Sequence, residues 1–380
     1  MPLHDVDRSE SLEIVRLVLN KVSAGEKVFS LAVGEPIYDT PTEIIEAAVE
    51  AMKKGMTHYV SSMGIPEIRG AIARKVYRKN HIKCREENTI FMSSKMAIYA
   101  IYMALNSKAG DEVLVPDPGY FYSEPAVLAG IKPVPYNLGN DYSLDLEEIE
   151  KKIGPRTKAI IINTPSNPTG KVYGEGELGR LLEICRSRNV KIVSDEAYED
   201  LTYGKKHFSI GSLEESPAQV VSLFTLSKSY SMTGWRAGYV VADEGFISML
   251  GKFMDHAVTC FPPFIQHASA IALDTMDGRV EEFRQDLFKK RDFTMKRLGE
   301  IPGLAANGVE GAFYIFPEYS VQTSSKELAS ALLEKHNVAV LPGSAFGSRG
   351  ESHIRLSYSG AMETISEAMD RLEHFFSRSM

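Results

Sequence analysis

Cysteine is scarce in this 380-residue sequence, which contains only Cys84, Cys185 and Cys260, far apart and without a CxxC pair. This spacing indicates neither a disulfide framework nor a thiolate metal site, and it is typical of a protein in a reducing compartment. The nine histidines show no HExxH spacing, and His256 and His267 fall on an apolar stretch where packing is the expected role. We therefore expect no metal.

Long apolar runs and an excess of positive charge are also missing. The longest stretch without Asp, Glu, Lys or Arg, residues 256–273, is too polar for a membrane span because it contains two histidines, two prolines and other polar residues. The first residues include acidic side chains where a signal peptide has a basic patch. A net charge of −7 argues against nucleic acid as a general partner. We expect a cytoplasmic protein with neither a membrane nor a nucleic-acid partner.

The remaining composition, 44% apolar and 24% charged residues, is that of a globular protein in water. Over residues 89–224, short β-prone apolar runs alternate with longer amphipathic runs, a pattern typical of repeated βαβ units. The pattern predicts an α/β fold with a mostly parallel sheet and helices on both faces. Five strands are expected, at 89–92, 112–115, 158–162, 190–193 and 220–224.

The regions on either side of this core have their own patterns. Residues 39–55 predict a helix with Thr40 as its cap and Pro41 at the first helical position. Beyond a proline-rich hinge, a smaller α+β unit is predicted by a helix and two strands, at 280–298, 312–316 and 353–358. We expect three parts: residues 1–47, packing with the small domain, a large domain at 48–280 and a small C-terminal domain at 281–380.

Polar residues follow all five predicted strands, where an open parallel sheet binds its ligands. Each group alone is typical of helix caps and turns. Together they supply a lysine, a carboxylate, a phenol, an amide and several hydroxyls. Pyridoxal phosphate (PLP) needs such a set, because it requires a lysine for its imine, an acid opposite its ring nitrogen, donors for its phenolate, a flat partner and a phosphate cradle. The strand ends therefore predict a PLP site.

The sequence resembles the class I/II, fold type I, PLP-dependent aminotransferases, close to the aspartate and aromatic aminotransferase group. The resemblance covers nearly the whole chain and implies that residues 48–280 form the PLP-binding domain of this fold. The motifs that carry it are LAVGEPIYDTP from Leu31, THYVSSMGIPEIRGAIA from Thr57, NPTG from Asn167, SDEAYEDLTY from Ser194, SKSYSMTGWRAGY from Ser227 and HIRLSYS from His353.

The resemblance implies roles around the cofactor ring. Lys228 would bind the cofactor as a Schiff base and then move the proton between the substrate Cα and the cofactor C4′. Asp195 would keep the ring nitrogen protonated, although it could instead cap the next helix. Asn167 and Tyr198 would donate to the phenolate oxygen, and Asn167 could instead only hold the NPTG turn. Tyr120 would stack on the ring, although an aromatic residue there can also belong to the core.

The phosphate is expected at the start of a helix near residue 95. Its donors would be the backbone N–H groups of Ser94 and Lys95, the hydroxyls of Thr225 and Ser227, and Arg236. Relatives commonly have glycine in the turn at 93–95 and serine at 225, so these contacts depart from the family pattern in detail.

The resemblance also implies roles for three further residues. Arg355 would bind the substrate α-carboxylate through two hydrogen bonds, with the Gly34 backbone approaching the same group; an ordinary surface salt bridge is the alternative for Arg355. Tyr59 matches the tyrosine that relatives contribute to the neighbouring subunit's phosphate. This match implies a homodimer with composite active sites.

A second motif competes with this interpretation. Gly174, Gly176 and Gly179 formally satisfy GxGxxG, which can bind a dinucleotide. The preceding strand is expected to end near Ile162, too far upstream for a tight strand-to-helix turn, and acidic residues between the glycines would face a pyrophosphate. A loop at the start of a helix is the preferred interpretation.

The expected function is transfer of the amino group of an L-amino acid, aspartate first and an aromatic amino acid second, to a 2-oxo acid such as 2-oxoglutarate by ping-pong exchange. A PLP-dependent carbon–sulfur lyase on the same scaffold is the alternative, because the cofactor residues do not decide which Cα bond breaks. A non-catalytic binding protein and an NAD-dependent dehydrogenase form a third class, which would show no imine absorption.

Overall fold

The computed structural model describes residue 6 and residues 10–379. Its helices are α1 (Glu10–Ser23), α2 (Thr42–Lys53), α3 (Pro66–Asn80), α4 (Ser94–Leu105), α5 (Ser123–Leu128), α6 (Leu146–Lys152), α7 (Glu175–Ser187), α8 (Leu226–Ser229), α9 (Glu244–Ala257), α10 (Pro263–Thr275), α11 (Asp277–Glu300), α12 (Ser325–His336) and α13 (Met362–Ser379). Its strands are β1 (Phe29–Ser30), β2 (Thr89–Phe91), β3 (Glu112–Asp117), β4 (Lys132–Asn137), β5 (Thr157–Asn163), β6 (Lys191–Asp195), β7 (Val220–Thr225), β8 (Gly238–Val241), β9 (Leu304–Ala305), β10 (Tyr314–Ile315), β11 (Glu318–Tyr319), β12 (Val338–Ala339), β13 (Leu341–Pro342) and β14 (Ile354–Ser357).

A seven-stranded sheet in the order β2-β8-β7-β6-β5-β3-β4 forms the centre of the molecule. The pairs β7-β6, β6-β5, β5-β3 and β3-β4 are parallel, and β8 is antiparallel to both of its neighbours. All five predicted strands belong to this sheet, so the predicted α/β class with a mostly parallel sheet is confirmed. β4 and β8 were not predicted from the sequence.

Alternating side chains of the central strands explain why helices cover both faces of the sheet. Ile161 of β5 packs into a cluster with residues of α4, β7 and β8, whereas Ile160 and Ile162 pack with Leu178 and Leu182 of α7 on the other face. A strand that is buried on both faces reads as a continuous apolar run, as β5 does. Each fully buried isoleucine contributes about 1.5–3 kcal/mol to this packing.

A second core lies among α11, α12, α13 and the three-stranded sheet β10-β14-β13. The N-terminal β1 runs parallel to β12, pairing Phe29 with Val338, while α2 packs on α10. Residue 47 lies within α2 and residue 280 within α11. The division of the chain at residues 47 and 280 stays a proposal. The pairing of β1 with β12 supports the expected packing of the N-terminal segment with the small domain.

The capping role predicted for Thr40 is wrong. The helix α2 begins at Thr42 without a side-chain cap. The Thr40 hydroxyl instead donates to the Ser231 carbonyl oxygen at 2.6 Å and accepts from the Trp235 indole at 3.0 Å. These tertiary hydrogen bonds outcompete the local one and join the N-terminal segment to the loop after α8.

Across residue 6 and residues 10–379, no helix combines the length and the apolar character that a bilayer crossing requires.

Candidate active site

A cavity of about 290 Å³ lies where the carboxyl ends of β5, β6 and β7 meet the N-terminus of α4. Segments from distant parts of the chain, including residues 32–34 and β14, close it. The predicted site residues, with the exception of Tyr59, line this one cavity: Gly34, Ser94, Lys95, Tyr120, Asn167, Asp195, Tyr198, Thr225, Ser227, Lys228, Arg236 and Arg355. The side chain of Tyr59 lies outside the cavity lining, and its residue is 86% exposed.

Lys228 lies on the four-residue helix α8, where Thr225 caps the N-terminus by accepting from the Ser227 N–H. Its Nζ donates to the Gly34 carbonyl oxygen at 2.7 Å. Burial, helped by the positive charges of Arg355 and Arg236, lowers the pKa of Lys228 to about 8. A lysine with a lowered pKa has a larger fraction of free amine at neutral pH, which is the form that attacks an aldehyde.

Asp195 is the buried last residue of β6. Its carboxylate accepts from the Tyr122 hydroxyl at 2.8 Å and from the Ala197 N–H at 3.2 Å. Burial raises the pKa of Asp195 to about 6 despite these hydrogen bonds. Turns rather than a helix follow it, so the helix-capping alternative is wrong. A buried carboxylate at a cavity wall suits a protonated ring nitrogen, since burying a charge is costly unless it is paired.

Arg355 lies in the middle of β14 and is 4% exposed. It donates to the Ala32 carbonyl oxygen at 2.6 Å and to Asn167 Oδ1 at 3.3 Å, and its buried Nε has no partner. Its guanidinium lies 4.3 Å from the ring centre of Tyr314. Within the part of the chain that the structure describes, no carboxylate pairs with Arg355, so the surface salt bridge is not found. A buried guanidinium that lines a cavity and has no carboxylate partner among the described residues is suited to bind an anion.

The hydroxyl and amide donors also meet in this cavity. The hydroxyls of Tyr198 and Tyr314 are 2.9 Å apart. Burial raises the pKa of Tyr198 well above its usual value, so its hydroxyl keeps its proton. The Asn167 backbone N–H donates to Asn163 Oδ1 at 2.7 Å, and its side-chain oxygen accepts from Arg355, which leaves its NH₂ group as a donor. Asn167 therefore holds its turn and also lines the site.

A further group of lining residues suits a phosphate. Ser94 begins the 12-residue helix α4, whose free N–H groups attract anions. Thr225 donates to Ser227 Oγ at 3.0 Å, and Arg236 donates to the Thr233 carbonyl oxygen at 2.7 Å. Asp195 is the one acidic residue in the described lining. This donor set fits a dianion, and together with Lys228 and Asp195 it fits PLP.

Sequence reasoning missed several lining residues. Tyr314 falls within an apolar strand run, so its hydroxyl gave no separate signal. Leu12 and Val15 of α1 and Leu341 add apolar walls. Apolar side chains carry no chemical signature in a sequence, and only the tertiary contacts bring these three to the cavity.

A buried polar cluster lies beside the site but has its own partners. The ligand atoms of Glu196, Glu199 and His207 lie within 4.8 Å of one another, a spacing that a metal could use. Glu199 forms an ion pair with the buried ammonium of Lys75, and Glu196 Oε2 is 2.7 Å from His207 Nε2. These contacts anchor the segment after Asp195, although Glu196 Oε1 and His207 Nδ1 are buried without a hydrogen-bond partner.

The glycine motif does not form a phosphate-binding turn. β5 ends at Asn163 and α7 begins at Glu175, so Gly174 precedes the helix as an ordinary N-cap. A Cβ atom on Gly174 or Gly176 would meet nothing within 4 Å. A loop at the start of α7 is therefore the correct interpretation.

Comparison with known proteins gives the family. The model of the aminotransferase class I and II family matches residues 26–372. The chain belongs to this family. Members depend on PLP, so the cofactor and the enzyme class predicted from the sequence are confirmed, and no comparison favours the lyase.

Individual relatives agree with this assignment. The chain of this aminotransferase is 41% identical to aspartate aminotransferase of Pyrococcus abyssi over 93% of its length and 92% of the relative's. It is 40% identical to aromatic-amino-acid aminotransferase 2 of Thermococcus litoralis, over 96% and 97% of the two chains. The structure of Thermus thermophilus aspartate aminotransferase with maleate superimposes with a TM-score of 0.94 at 32% identity, covering 98% of each chain. The fold type I prediction is thereby confirmed.

Proposed function

We propose that this aminotransferase transfers the amino group of an L-amino acid, with L-aspartate preferred, to a 2-oxo acid such as 2-oxoglutarate by ping-pong exchange. The observation that carries the proposal is the charge of the cavity. Four basic residues, Lys95, Lys228, Arg236 and Arg355, line it, and Asp195 is the one carboxylate among the described lining residues. Such a cavity is suited to several anionic groups at once, here a phosphate and the carboxylates of the substrate.

PLP supplies an aldehyde that captures the amino nitrogen and a protonated ring that accepts the electrons released at the substrate Cα. Lys228 would hold the cofactor covalently and, once released, move the proton between Cα and C4′. Asp195 would hold the proton on the ring nitrogen. Asn167 and Tyr198 would donate to the phenolate oxygen, and Tyr120 would stack on the ring.

The phosphate would be bound by the backbone N–H groups of Ser94 and Lys95, the hydroxyls of Thr225 and Ser227, and the guanidinium of Arg236. All five residues line the cavity. This assignment uses the free N–H groups of α4 together with one side-chain cation, a combination that suits a dianion.

Two cations are assigned to the substrate. Arg355 would bind the α-carboxylate through its guanidinium, with the Gly34 backbone beside it. Lys95 would bind the second carboxylate of aspartate through its ammonium group, since no described residue forms an ion pair with it. The Thermus relative with bound maleate, a dicarboxylate, supports this preference.

Aromatic amino acids are the second candidate. Leu12, Val15, Phe121 and Leu341 give the cavity apolar walls that an aromatic side chain could contact. The Thermococcus relative is named an aromatic-amino-acid aminotransferase. Apolar walls and a lysine can serve both kinds of side chain in one site.

We also propose a cytoplasmic homodimer in which Tyr59 reaches the phosphate of the neighbouring subunit. The high exposure of Tyr59 leaves its hydroxyl available to a partner. The exposed face of α2 carries Ile45, Val49 and Met52 at helical spacing, which gives an apolar stripe suited to a second copy.

The test is a panel of amino donors with 2-oxoglutarate as acceptor, using PLP-loaded protein. Glutamate formation with aspartate at the highest kcat/KM is the expected result, and ammonia with pyruvate would instead indicate a lyase. Lys228→Ala should lower turnover by at least about 10³-fold, because it removes both the covalent anchor and the base. Lys191→Ala, at the far end of β6, is the matched control and should keep full turnover.

A further inference from the structure

Tyr314 lies against three residues of the proposed active site, Tyr198, Arg355 and Gly34, but it has no role in the proposed function. It is the 1% exposed first residue of β10, and its hydroxyl is 2.9 Å from that of Tyr198. Its ring lies under the Arg355 guanidinium. A Cβ atom on Gly34 would lie 2.2 Å from the Tyr314 hydroxyl, so this hydroxyl is held against the residue whose carbonyl oxygen accepts from Lys228.

The hydrogen bond between the two phenols has a required direction once Tyr198 serves the cofactor. A phenol has one proton to donate. If Tyr198 donates to the cofactor phenolate, its oxygen must accept from Tyr314. Burial raises the pKa of both phenols, so both keep their protons over the working pH range.

We propose that Tyr314 is a positioning residue whose hydroxyl donates to Tyr198 and thereby strengthens the hydrogen bond from Tyr198 to the cofactor phenolate oxygen. This inference rests on the proposed function. Hydrogen bonds in a chain polarise one another, so a hydroxyl that accepts a bond becomes a better donor. A better donor favours the phenolate and lowers the pH at which the nitrogen shared by Lys228 and the cofactor loses its proton.

The test compares two single-atom deletions in PLP-loaded protein. Tyr314→Phe keeps the ring against Arg355 and removes only the hydroxyl. Tyr203→Phe is the matched control, because Tyr203 is a buried tyrosine of the same core whose hydroxyl donates to the Ala312 carbonyl oxygen, away from the cavity. The absorption spectrum of each protein is titrated with pH, and thermal unfolding checks that each is folded.

We expect Tyr314→Phe to raise the midpoint pH of the spectral change by about 0.5 unit and Tyr203→Phe to leave it unchanged. In a Tyr198→Phe background, Tyr314→Phe should add no further shift, because the relay has lost its second member. The inference is overturned by an unchanged midpoint in Tyr314→Phe, by an equal shift in Tyr203→Phe, by a full further shift in the double variant, or by loss of cofactor binding in a folded Tyr314→Phe protein.

Failure of the proposed function has a different signature. The wild-type protein would then show no cofactor absorption band, or borohydride treatment would leave the peptide containing Lys228 unchanged in mass. A reduced Lys228 adduct with identical midpoints in wild type and Tyr314→Phe would overturn the role of Tyr314 alone.

Discussion

At the scale of single residues, burial pushes the two central ionisable groups towards their neutral forms. It lowers the pKa of Lys228 to about 8 and raises the pKa of Asp195 to about 6. In the cofactor-free protein both groups therefore cost stability near neutral pH. Active sites commonly carry such costs, because the groups are arranged for the ligand rather than for the empty fold.

Asp195→Asn should stabilise the cofactor-free protein at high pH while it abolishes function. The folded pKa of Asp195 lies above its unfolded value, so its penalty is absent below about pH 4, grows as pH rises and is complete above about pH 6. Urea unfolding of the variant should show a gain of about 2–3 kcal/mol at pH 8 and none at pH 4. Turnover of the PLP-loaded variant should fall about 10³-fold because an amide cannot hold the proton on the ring nitrogen.

Asp141→Asn is the control, because the pKa of Asp141 is shifted in the opposite direction to that of Asp195. Hydrogen bonds from Ser143 and the charge of Lys171 lower the pKa of the exposed Asp141 to about 2. Its stabilising contribution is present above about pH 4 and disappears as pH falls towards 2. A small loss of stability at pH 8 and normal turnover are expected for this variant. Equal stability of Asp195→Asn and wild type at pH 8 would contradict the assigned burial cost.

At the scale of elements, prediction succeeded where the pattern was local. The buried runs of β3, β5, β6 and β7 are continuous and apolar, and the chemistry at their ends follows from the topology of a parallel sheet. β4, with the sequence KPVPYN, was missed because two prolines and polar exposure mark an edge strand, which reads like a loop. Tyr314 was missed because contacts between distant strands, not strand periodicity, bring it to the site.

The length of β3 was also underestimated, and its last residue has a structural role. β3 continues past residue 115 to Asp117, whose carboxylate accepts from Ser348 Oγ at 2.7 Å and from the N–H groups of Ser348 and Arg349 at 3.1 and 2.9 Å. The same segment, 343–350, brings Phe346 into a stack with Phe121 at 5.3 Å. Asp117 therefore joins the large sheet to a segment that packs against the cavity lining.

Asp117→Ala should loosen this junction. Removing one carboxylate leaves three donors without their acceptor, which costs about 2–4 kcal/mol in total. Amide hydrogen exchange followed by mass spectrometry should show faster exchange in peptides covering 343–350 and no change in β6. Asp145→Ala, which removes only the cap of α6, should speed exchange in that helix alone. Unchanged protection of 343–350 in Asp117→Ala would show that apolar stacking alone holds the segment.

At the scale of the whole molecule, the site depends on residues far apart in sequence. Gly34 from the N-terminal segment accepts from Lys228 of the large sheet, and Arg355 of β14 donates to Asn167 across the two cores. Tyr59 is the one proposed site residue that lies outside this cavity lining. If the site is composite, the second subunit must complete it.

Subunit complementation tests whether each active site contains residues of both subunits. The Lys228→Ala and Tyr59→Phe proteins are unfolded, mixed and refolded together with limiting PLP. A hybrid dimer carries one site with both mutations and one site that combines the intact Lys228 of the Tyr59→Phe chain with the intact Tyr59 of the Lys228→Ala chain. Random mixing should therefore make about a quarter of all sites wild-type in cofactor affinity, above the level of either parent. If Tyr59 acted within its own chain, each site would keep one defect and the mixture would show only the average of its parents.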